Sequence, residues 1–284
     1  MMTWQFFVLI SILASAAAAL LQKVLMRKEH INPIAFAAGL QIIAGLLVGI
    51  VVLFNGWHIP DIGPIWLNLL IMPFLYGFAN ITKFKSLKKI DASEFTVIYQ
   101  ASTLFKVFVA VTFLDEVFKS YQVFGLALII SAVILVTLKN RITFKLSEGE
   151  LWGLACAALY GFAFANDVFI LRTFDLWTYT FLAFMVPGLM TLVYLGKSAK
   201  TVVHLFDRGS VWIFLLSSIA CGAVATSMYA AYQTGRNAAQ IASIIPTYSI
   251  LIVVLAAIFL NERDHLPRKL VAAVLAVIGI SLLK

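Results

Sequence analysis

The sequence predicts an all-α integral membrane protein in which ten transmembrane helices form two inverted five-helix repeats. The chain of 284 residues is 62% hydrophobic and only 12% charged, whereas a soluble domain carries roughly 25% charged residues. It also contains ten apolar segments of about 20 residues, the length that a helix needs to cross the hydrocarbon core, and its two halves resemble each other. A soluble globular fold is therefore excluded.

The ten apolar segments divide evenly between the two halves of the chain. Those of the first half are Trp4–Met26, Pro33–Phe54, Pro64–Thr82, Ser93–Phe113 and Ser120–Leu138. Those of the second half are Leu151–Leu171, Trp177–Gly196, Val211–Thr234, Ala239–Leu260 and Pro267–Leu283. All six tryptophans lie within a few residues of a predicted helix end, and the indole ring favours the membrane–water interface. The tryptophan positions therefore agree with the predicted spans.

The stretch Ala92–Lys139 has a counterpart in Ala238–Lys284. A shift of 146 residues aligns Ala92 with Ala238 and Glu116 with Glu262, and each stretch consists of two apolar helices around a short charged turn. This internal repeat predicts two units, residues 1–145 and residues 146–284. Because each unit has five spans, an odd number, the second is expected to enter the membrane in the opposite sense to the first.

The basic residues are distributed unequally between the two predicted membrane faces. The formal net charge is +8, and most basic residues lie between apolar runs, which indicates membrane orientation and not nucleic-acid binding. The connections after the first, third, fifth, seventh and ninth helices hold 15 Lys and Arg, and the opposite face holds 4. The positive-inside rule therefore predicts that these connections are cytoplasmic and that both termini lie outside.

Two charged residues inside the predicted spans are candidates for function. Lys106 lies about two turns from the end of the fourth helix, where a lysine costs about 2.5 to 3.5 kcal/mol unless it is paired or hydrated. Asp167 lies in the sixth helix at a depth that differs by about one helical turn, near 5 Å. We therefore predict that Lys106 and Asp167 form a salt bridge or share a water. This pair either binds substrate or exchanges a proton, or it is a static bridge between two helices.

Uncharged polar residues occupy corresponding places in the two halves. Gln22 on the first helix corresponds to Asn166 on the sixth, and Gln100 on the fourth corresponds to Pro246 on the ninth. Pro246 removes one helical hydrogen bond and can expose a carbonyl near the midplane. Further candidates lie on the third, fourth and eighth helices: Asn80, Tyr99 and Tyr229. Together these residues predict a polar, substrate-binding cavity between the repeats, although each alone also fits a helix-packing hydrogen bond.

A second charged pair is predicted near one end of the bundle. Lys23 on the first helix and Glu94 on the fourth lie at the same face. Because both lie close to the membrane interface, the alternative is a solvated rim in which each side chain reaches water separately.

The sequence lacks the motifs of the common enzyme classes. The four histidines, His30, His58, His204 and His265, are scattered over the connections. No HExxH motif, phosphate-binding Gly-Lys-Ser/Thr loop or nucleophile elbow occurs. The sequence therefore predicts a protein that is not an enzyme and that holds no cofactor or metal.

Each half ends with an apolar helix, the sequence Phe-Leu-x-Glu, a short turn and a final helix that contains Gly or Ala. This arrangement resembles the drug/metabolite transporter superfamily, specifically its EamA-type members, over nearly the whole chain. The resemblance implies alternating access around a central cavity lined by both halves. It also implies that both termini are cytoplasmic, opposite to the charge count.

The resemblance also suggests roles for individual residues. By position, Glu116 and Glu262 match the family's helix-end glutamates and are expected to act in gating, and Pro246 matches its helix-breaking proline. Gln100 stands in the first half where Pro246 stands in the second, so a bend that depends on proline is expected in the second half only.

Sequence and resemblance together predict a secondary transporter that moves a small metabolite, such as an amino acid, an amine or a related solute, across the inner cell membrane. The expected partners are the solute and the lipid bilayer, with protons as the candidate coupling ion and no nucleic acid. The protein is expected to be a monomer or a homodimer. The alternative is a non-transporting membrane subunit of a larger complex.

The charge count makes a testable prediction about orientation. Alkaline phosphatase fused after Lys284 is expected to be active, and green fluorescent protein at the same site dark, because the fusion point would lie outside the cytoplasm. As a control, the same reporters inserted after Lys200, in the connection with several basic residues, should give the reverse result. A fluorescent fusion after Lys284 would contradict the charge-based orientation.

Overall fold

The computed structural model describes residues 4–113, 120–137, 146–234, 241 and 244–283; of these, the side chains of 109–113, 120, 168, 229, 232 and 233 are not described. The described part of the chain is helical. Its α-helices are α1 Trp4–Met26, α2 Pro33–Asn55, α3 Trp66–Lys89, α4 Ala92–Tyr99, α5 Ser102–Phe113, α6 Ser120–Thr137, α7 Glu148–Ile170, α8 Leu176–Leu195, α9 Val211–Thr234, α10 Tyr248–Phe259 and α11 Leu266–Ser281. Three 3₁₀ segments occupy Gly63–Ile65, Gly196–Phe206 and Ile245–Thr247.

Local sequence signals set several helix ends. The Asn32 side chain accepts hydrogen bonds from the first backbone N–H groups of α2, and Asp175 does the same for α8. Ser147 and Glu150 form a reciprocal capping box at the start of α7. These side chains satisfy N–H groups that have no partner within the helix, so the helices begin where the polar residues stand.

The outer surface of the bundle is apolar. On α2, Leu46, Ile50 and Leu53 are each more than half exposed and lie along one face. A soluble monomer rarely exposes such stripes, whereas a lipid-facing helix requires them. Five helical segments in the described part of the chain are long and apolar enough to cross a membrane: Trp4–Met26, Pro33–Asn55, Gly63–Lys89, Leu176–Phe206 and Val211–Met228. The full set of ten spans stays a prediction.

The helices of one half pack against those of the other. Helix α1 contacts α9, α3 contacts α7, α2 contacts α8, and α6 contacts α11. Exchanging the two halves converts the first of these contacts into the second and leaves the last two unchanged. Two similar halves related by a two-fold axis would pack in this way, and the opposite orientation of the halves in a membrane stays a prediction.

The fourth predicted span is broken in the middle, which corrects the expectation of one continuous helix over Ser93–Phe113. Helix α4 ends at Tyr99 and α5 begins at Ser102. Between them, the N–H of Gln100 bonds to the carbonyl of Val97 at 3.1 Å and the N–H of Ala101 to that of Ile98 at 3.0 Å, a 3₁₀ pattern.

The break between α4 and α5 has a counterpart in the second half at Pro246, which lies in the 3₁₀ segment before α10. Gln100 and Pro246 are counterparts in the repeat, so the interruption occurs in both halves, although only the second-half interruption contains a proline. No proline lies at the break in the first half. Instead, α7 approaches so closely that a Cβ on Gly161 would lie 2.8 Å from the Ser102 carbonyl oxygen, so tertiary packing accompanies the break.

Helices α6 and α11, which belong to different halves, approach each other closely at two glycines. A Cβ on Gly125 would lie 2.7 Å from the carbonyl oxygen of Gly279, and a Cβ on Gly279 would lie 2.7 Å from that of Gly125. Small residues at such crossings allow the van der Waals contact that drives helix association in lipid.

We expect Gly279→Ala to lower the thermal unfolding midpoint of the purified protein, because the added methyl group must push the two backbones apart. Overpacking of this kind typically costs about 1 to 3 kcal/mol. Gly222→Ala on α9 is the matched control, since its Cβ would meet nothing closer than 4.0 Å. Equal midpoints for the two variants would show that the crossing tolerates a methyl group.

Candidate functional site

A ladder of polar side chains joins α3 to α7. Asn68 donates to the side-chain oxygen of Asn166 at 2.7 Å, and Asn166 donates back to the Asn68 carbonyl oxygen at 3.0 Å. Further along, the Tyr160 hydroxyl donates to Asn80 Oδ1 at 3.0 Å. The two helices run antiparallel, so residues of rising number on α3 meet residues of falling number on α7. Asn80 and Asn166 therefore lie on one polar seam within the bundle.

Asp167 lies on this seam and is held by two tyrosines. Its carboxylate accepts hydrogen bonds from the hydroxyl groups of Tyr76 on α3 and Tyr179 on α8. Only 4% of the residue is exposed. Hydroxyl donors compensate part of the cost of removing a carboxyl group from water. Asp167 is thus bonded to two neighbouring helices at once.

Lys106 on α5 faces the same part of α7. Its Nζ lies 4.0 Å from the centroid of the Phe164 ring, in a cation–π contact that offsets part of the desolvation cost. Phe164 and Asp167 are three residues apart and share one helix face. Among the described contacts there is no direct ion pair between Lys106 and Asp167, although each lies within the electrostatic field of the other.

An aromatic cluster adjoins this charged region, because Tyr76, which bonds Asp167, is part of it. The Tyr160 ring packs edge-on against Tyr76, with centroids 5.8 Å apart, and against Tyr99, with centroids 5.5 Å apart. Tyr99 is the last residue of α4, so the cluster lies beside the break in the fourth span. The tyrosines present both ring faces and hydroxyl groups to the bundle interior.

Two buried amide side chains, those of Gln22 and Gln100, are incompletely bonded. Gln22 on α1 donates to the Cys221 sulfur at 3.1 Å, but its Oε1 has no partner among the described residues. At the break, Gln100 Nε2 is likewise without a described partner. Gln22 is 1% exposed and Gln100 is 4% exposed. A buried amide group without a hydrogen bond is costly, so both groups are suited to bind a polar guest.

Glu262 lies outside this region, at the end of the bundle. It follows α10 and reaches the first turn of α4, where its carboxylate accepts the backbone N–H groups of Ala92 at 3.1 Å and Ser93 at 3.0 Å. The Ser93 hydroxyl donates to it at 2.8 Å, and Arg27 contributes a salt bridge at 3.3 Å. Glu262 therefore follows the end of one helix, α10, and caps the start of another, α4, which belongs to the other half.

Lys23 also bonds at this end, but not as a salt bridge to Glu94. Its Nζ donates to the carbonyl oxygens of Leu87 at 2.8 Å and Ile90 at 2.6 Å, at the C-terminus of α3. Lys23 is 6% exposed, so it does not form part of a solvated rim. A cation is favourable at this position because the terminal carbonyl groups of a helix carry partial negative charge.

A carboxylate on the outer surface of the same end, that of Glu148, is exposed to solvent. Glu148, at the start of α7, accepts hydrogen bonds from Lys89 at 2.8 Å and Trp152 at 3.2 Å. The bond from Lys89, followed by that from Trp152, lowers the pKa of Glu148 below its usual value. This pair is exposed to solvent and is worth little in stability.

The structure brings several of the predicted site residues together. Asn80, Tyr99, Asn166 and Asp167 lie on or beside the α3–α7 seam, with Lys106 facing it. Pro246 begins α10 through a 3₁₀ turn. The side chain of Tyr229 and the whole of Glu116 lie outside the described residues.

Sequence reasoning missed three residues that complete this seam: Asn68, Tyr160 and Tyr179. Tyr179 had a detectable signal. Asp167 precedes the end of α7 by about one turn, and Tyr179 follows the start of α8 by about one turn, so the two face each other across a short hairpin. Asn68 and Tyr160 had no such signal, because only the register of α3 against α7 pairs them.

Comparison with known proteins agrees with this architecture. A model of the EamA-like transporter family matches residues 2–138 and matches again at residues 147–284. A solved structure, titled only "Crystal structure of protein", aligns over 96% of this chain and 97% of its own, with a TM-score of 0.58 and 16% identity, which shows a similar fold. No curated protein matches the sequence. Since the two family matches together cover nearly the whole chain, the protein is a multi-pass membrane protein that belongs to the EamA-like transporter family.

Proposed function

We propose that the protein is a secondary transporter that moves a small metabolite, such as an amino acid, an amine or a related solute, across the inner cell membrane by alternating access. Family membership supports transport, and the buried polar seam supports a binding site for a polar solute. The observation that carries the proposal is the pair of incompletely bonded amides, Gln22 and Gln100, within an apolar bundle.

The proposed binding region has groups for both charges. Lys106 supplies a cation whose described contact is an aromatic face, so it is able to donate hydrogen bonds to an anionic group. Asp167 supplies a carboxylate, which could accept an ammonium group if Tyr76 or Tyr179 rotated away. An anion, a zwitterion such as an amino acid, or an amine would each fit these groups. Protons are the candidate coupling ion, with Asp167 as their acceptor.

The two helix breaks supply the movement that alternating access requires. A 3₁₀ interruption in mid-helix has weaker backbone hydrogen bonds and commonly marks a hinge. Gln100 and Pro246 occupy equivalent places in the two halves, and discontinuous helices near the midplane are typical of secondary transporters. In the proposed cycle, the α4–α5 segment and α10 bend at these points.

The alternative function is a non-transporting subunit of a larger membrane complex. Exposed apolar side chains on α9, such as Trp212, Leu216 and Ile219, suit a protein partner as well as lipid. Such a subunit would copurify with a stoichiometric partner after gentle extraction and would carry no flux alone.

A ligand screen followed by flux tests the proposed function. We expect at least one solute among amino acids, amines, nucleosides and sugar phosphates to raise the unfolding temperature of the purified protein. A ligand at 100 times its Kd stabilises the folded state by about 2.7 kcal/mol. The same solute should enter or leave liposomes that contain the protein, and empty liposomes are the control. Binding without flux, together with a copurifying partner, would favour the subunit.

Neutralising the charged residues tests the site. Lys106→Met and Asp167→Asn are each expected to lower flux by roughly tenfold or more, because a hydrogen bond to a charged group is worth about 1.5 to 3 kcal/mol. If Asp167 exchanges protons, Asp167→Asn should also abolish the pH dependence of flux. The measurement is the initial rate in liposomes over a range of pH values.

Matched controls are available outside the proposed binding region. Lys85 also lies over an aromatic ring, at 4.3 Å from Trp152, so Lys85→Met removes the same contact at the periphery. Asp207 is half-exposed and pairs with His204 at 3.5 Å, so Asp207→Asn makes the same chemical change at the surface. Unchanged rates and pH dependence for Lys106→Met, Asp167→Asn and their combination would refute a role in transport and leave a static structural role.

A further inference from the structure

The connection between α3 and α4 is clamped by residues from both halves. Lys23, from α1, bonds to the carbonyl oxygens at the end of α3. Lys269, from α11, forms a salt bridge of 2.6 Å with Asp91 in the connection, and Glu262 bonds to the start of α4. Lys23 comes from the first half, and Glu262 and Lys269 come from the second. The connection therefore ties the two halves together at this end of the bundle.

The backbone after α10 aims Glu262 at its target. Asn261 adopts a left-handed conformation with φ of 55°, which Asn tolerates better than most residues. The N–H of Glu262 then bonds back to the carbonyl oxygen of Ala256 at 3.1 Å, which closes the turn at the end of α10. The sequence Phe-Leu-Asn-Glu thus ends the helix and directs a carboxylate across to α4.

The target of Glu262 is chemically suited to an anion. Two N–H groups at the start of α4 have no partner within the helix, and the helix dipole favours negative charge there. The carboxylate of Glu262 is almost completely removed from solvent, with 1% of its side chain exposed, and its donors include backbone, hydroxyl and guanidinium groups. Removing the charge would leave these donors buried with a weaker acceptor.

Helix α4 connects this clamp to the proposed binding region. It is only eight residues long: its first two residues bind Glu262, while its last residue is Tyr99, followed by Gln100 at the break. A movement at one end of such a short rigid helix must displace the other end. The clamp and the proposed solute site are therefore mechanically coupled through a single element.

We infer that Glu262 is a positioning residue of a gate, which we call the α4 clamp: its contacts with Ala92, Ser93 and Arg27. The clamp closes the end of the bundle that holds the α3–α4 connection. Its release allows α4 to swing about the break at Gln100 and opens a path to the interior. The role in transport rests on the proposed function, whereas the opening itself does not require that a solute be known.

The native cysteines provide a reporter for this opening. The chain has two, Cys156 and Cys221, and Cys221 lies in the middle of α9 against Gln22. In a Cys156→Ser background, Cys221 is labelled with a membrane-impermeant methanethiosulfonate in right-side-out and inverted vesicles. Glu262→Gln is expected to raise the labelling rate about tenfold, a factor equivalent to about 1.4 kcal/mol. The increase should occur only when the reagent is added on the side of the membrane where the α3–α4 connection lies. The charge count places this face in the cytoplasm, so inverted vesicles should show the effect.

The control and a double-mutant cycle sharpen the test. Glu148→Gln makes the same substitution at an exposed carboxylate of the same end and should leave the labelling rate unchanged. Ser93→Ala removes one donor to Glu262 and should give a smaller increase. It should add little when combined with Glu262→Gln, because its partner charge is already lost.

Two results would overturn the inference. One is a Glu262→Gln labelling rate equal to that of the Glu148→Gln control. The other is an equal increase from both faces, which would indicate general loosening of the bundle. Thermal unfolding of each variant checks that it is folded. Because labelling needs no solute, a failure of flux in liposomes would count against the proposed function and not against the clamp.

Discussion

The hydrocarbon core offers no water to polar groups, so each polar group inside it needs a partner from the protein. This constraint explains the interior of the bundle better than any single motif. Asp167 is bonded by two tyrosine hydroxyl groups, Lys106 rests on an aromatic face, and Asn68 and Asn166 satisfy each other. Gln22 Oε1 and Gln100 Nε2 are among the buried atoms without a partner in the described part of the chain, and in the proposed function a solute completes their bonding.

The same constraint operates at the ends of the helices, where backbone groups lack partners. Charged side chains from distant parts of the chain supply them: Lys23 at the end of α3 and Glu262 at the start of α4. These contacts have a second effect, because each also joins elements that are far apart in sequence. Glu262 therefore satisfies a helix terminus and also connects the two halves, whereas Lys23 joins α1 to α3 within the first half.

Much of the fold could be predicted from the sequence because its signals are local. Apolar length located the helices, since the predicted spans Trp4–Met26 and Pro33–Phe54 match α1 and α2 to within one residue. The break at Gln100 was not predicted, since no proline marks it and the close approach of Gly161 that accompanies it comes from another helix. Depth within the spans indicated that Lys106 and Asp167 face the same region, but the two tyrosines that bond Asp167 were not predicted. Contacts that depend on the register of one helix against another, such as that of Asn80 with Tyr160, could not be predicted from the sequence.

The crossing of Gly125 and Gly279 affects how much side-chain conformational entropy changes when the two halves move. A contact between two backbones has no rotamers to freeze or release, in contrast to the long side chains of the α4 clamp, which lose up to about 2 kcal/mol each in conformational entropy when they are fixed. In the proposed cycle, the glycine crossing can persist at no change in side-chain entropy while the clamp forms and breaks. The permanent joint between the halves is made of residues without side chains, and the reversible joint is made of the most flexible ones.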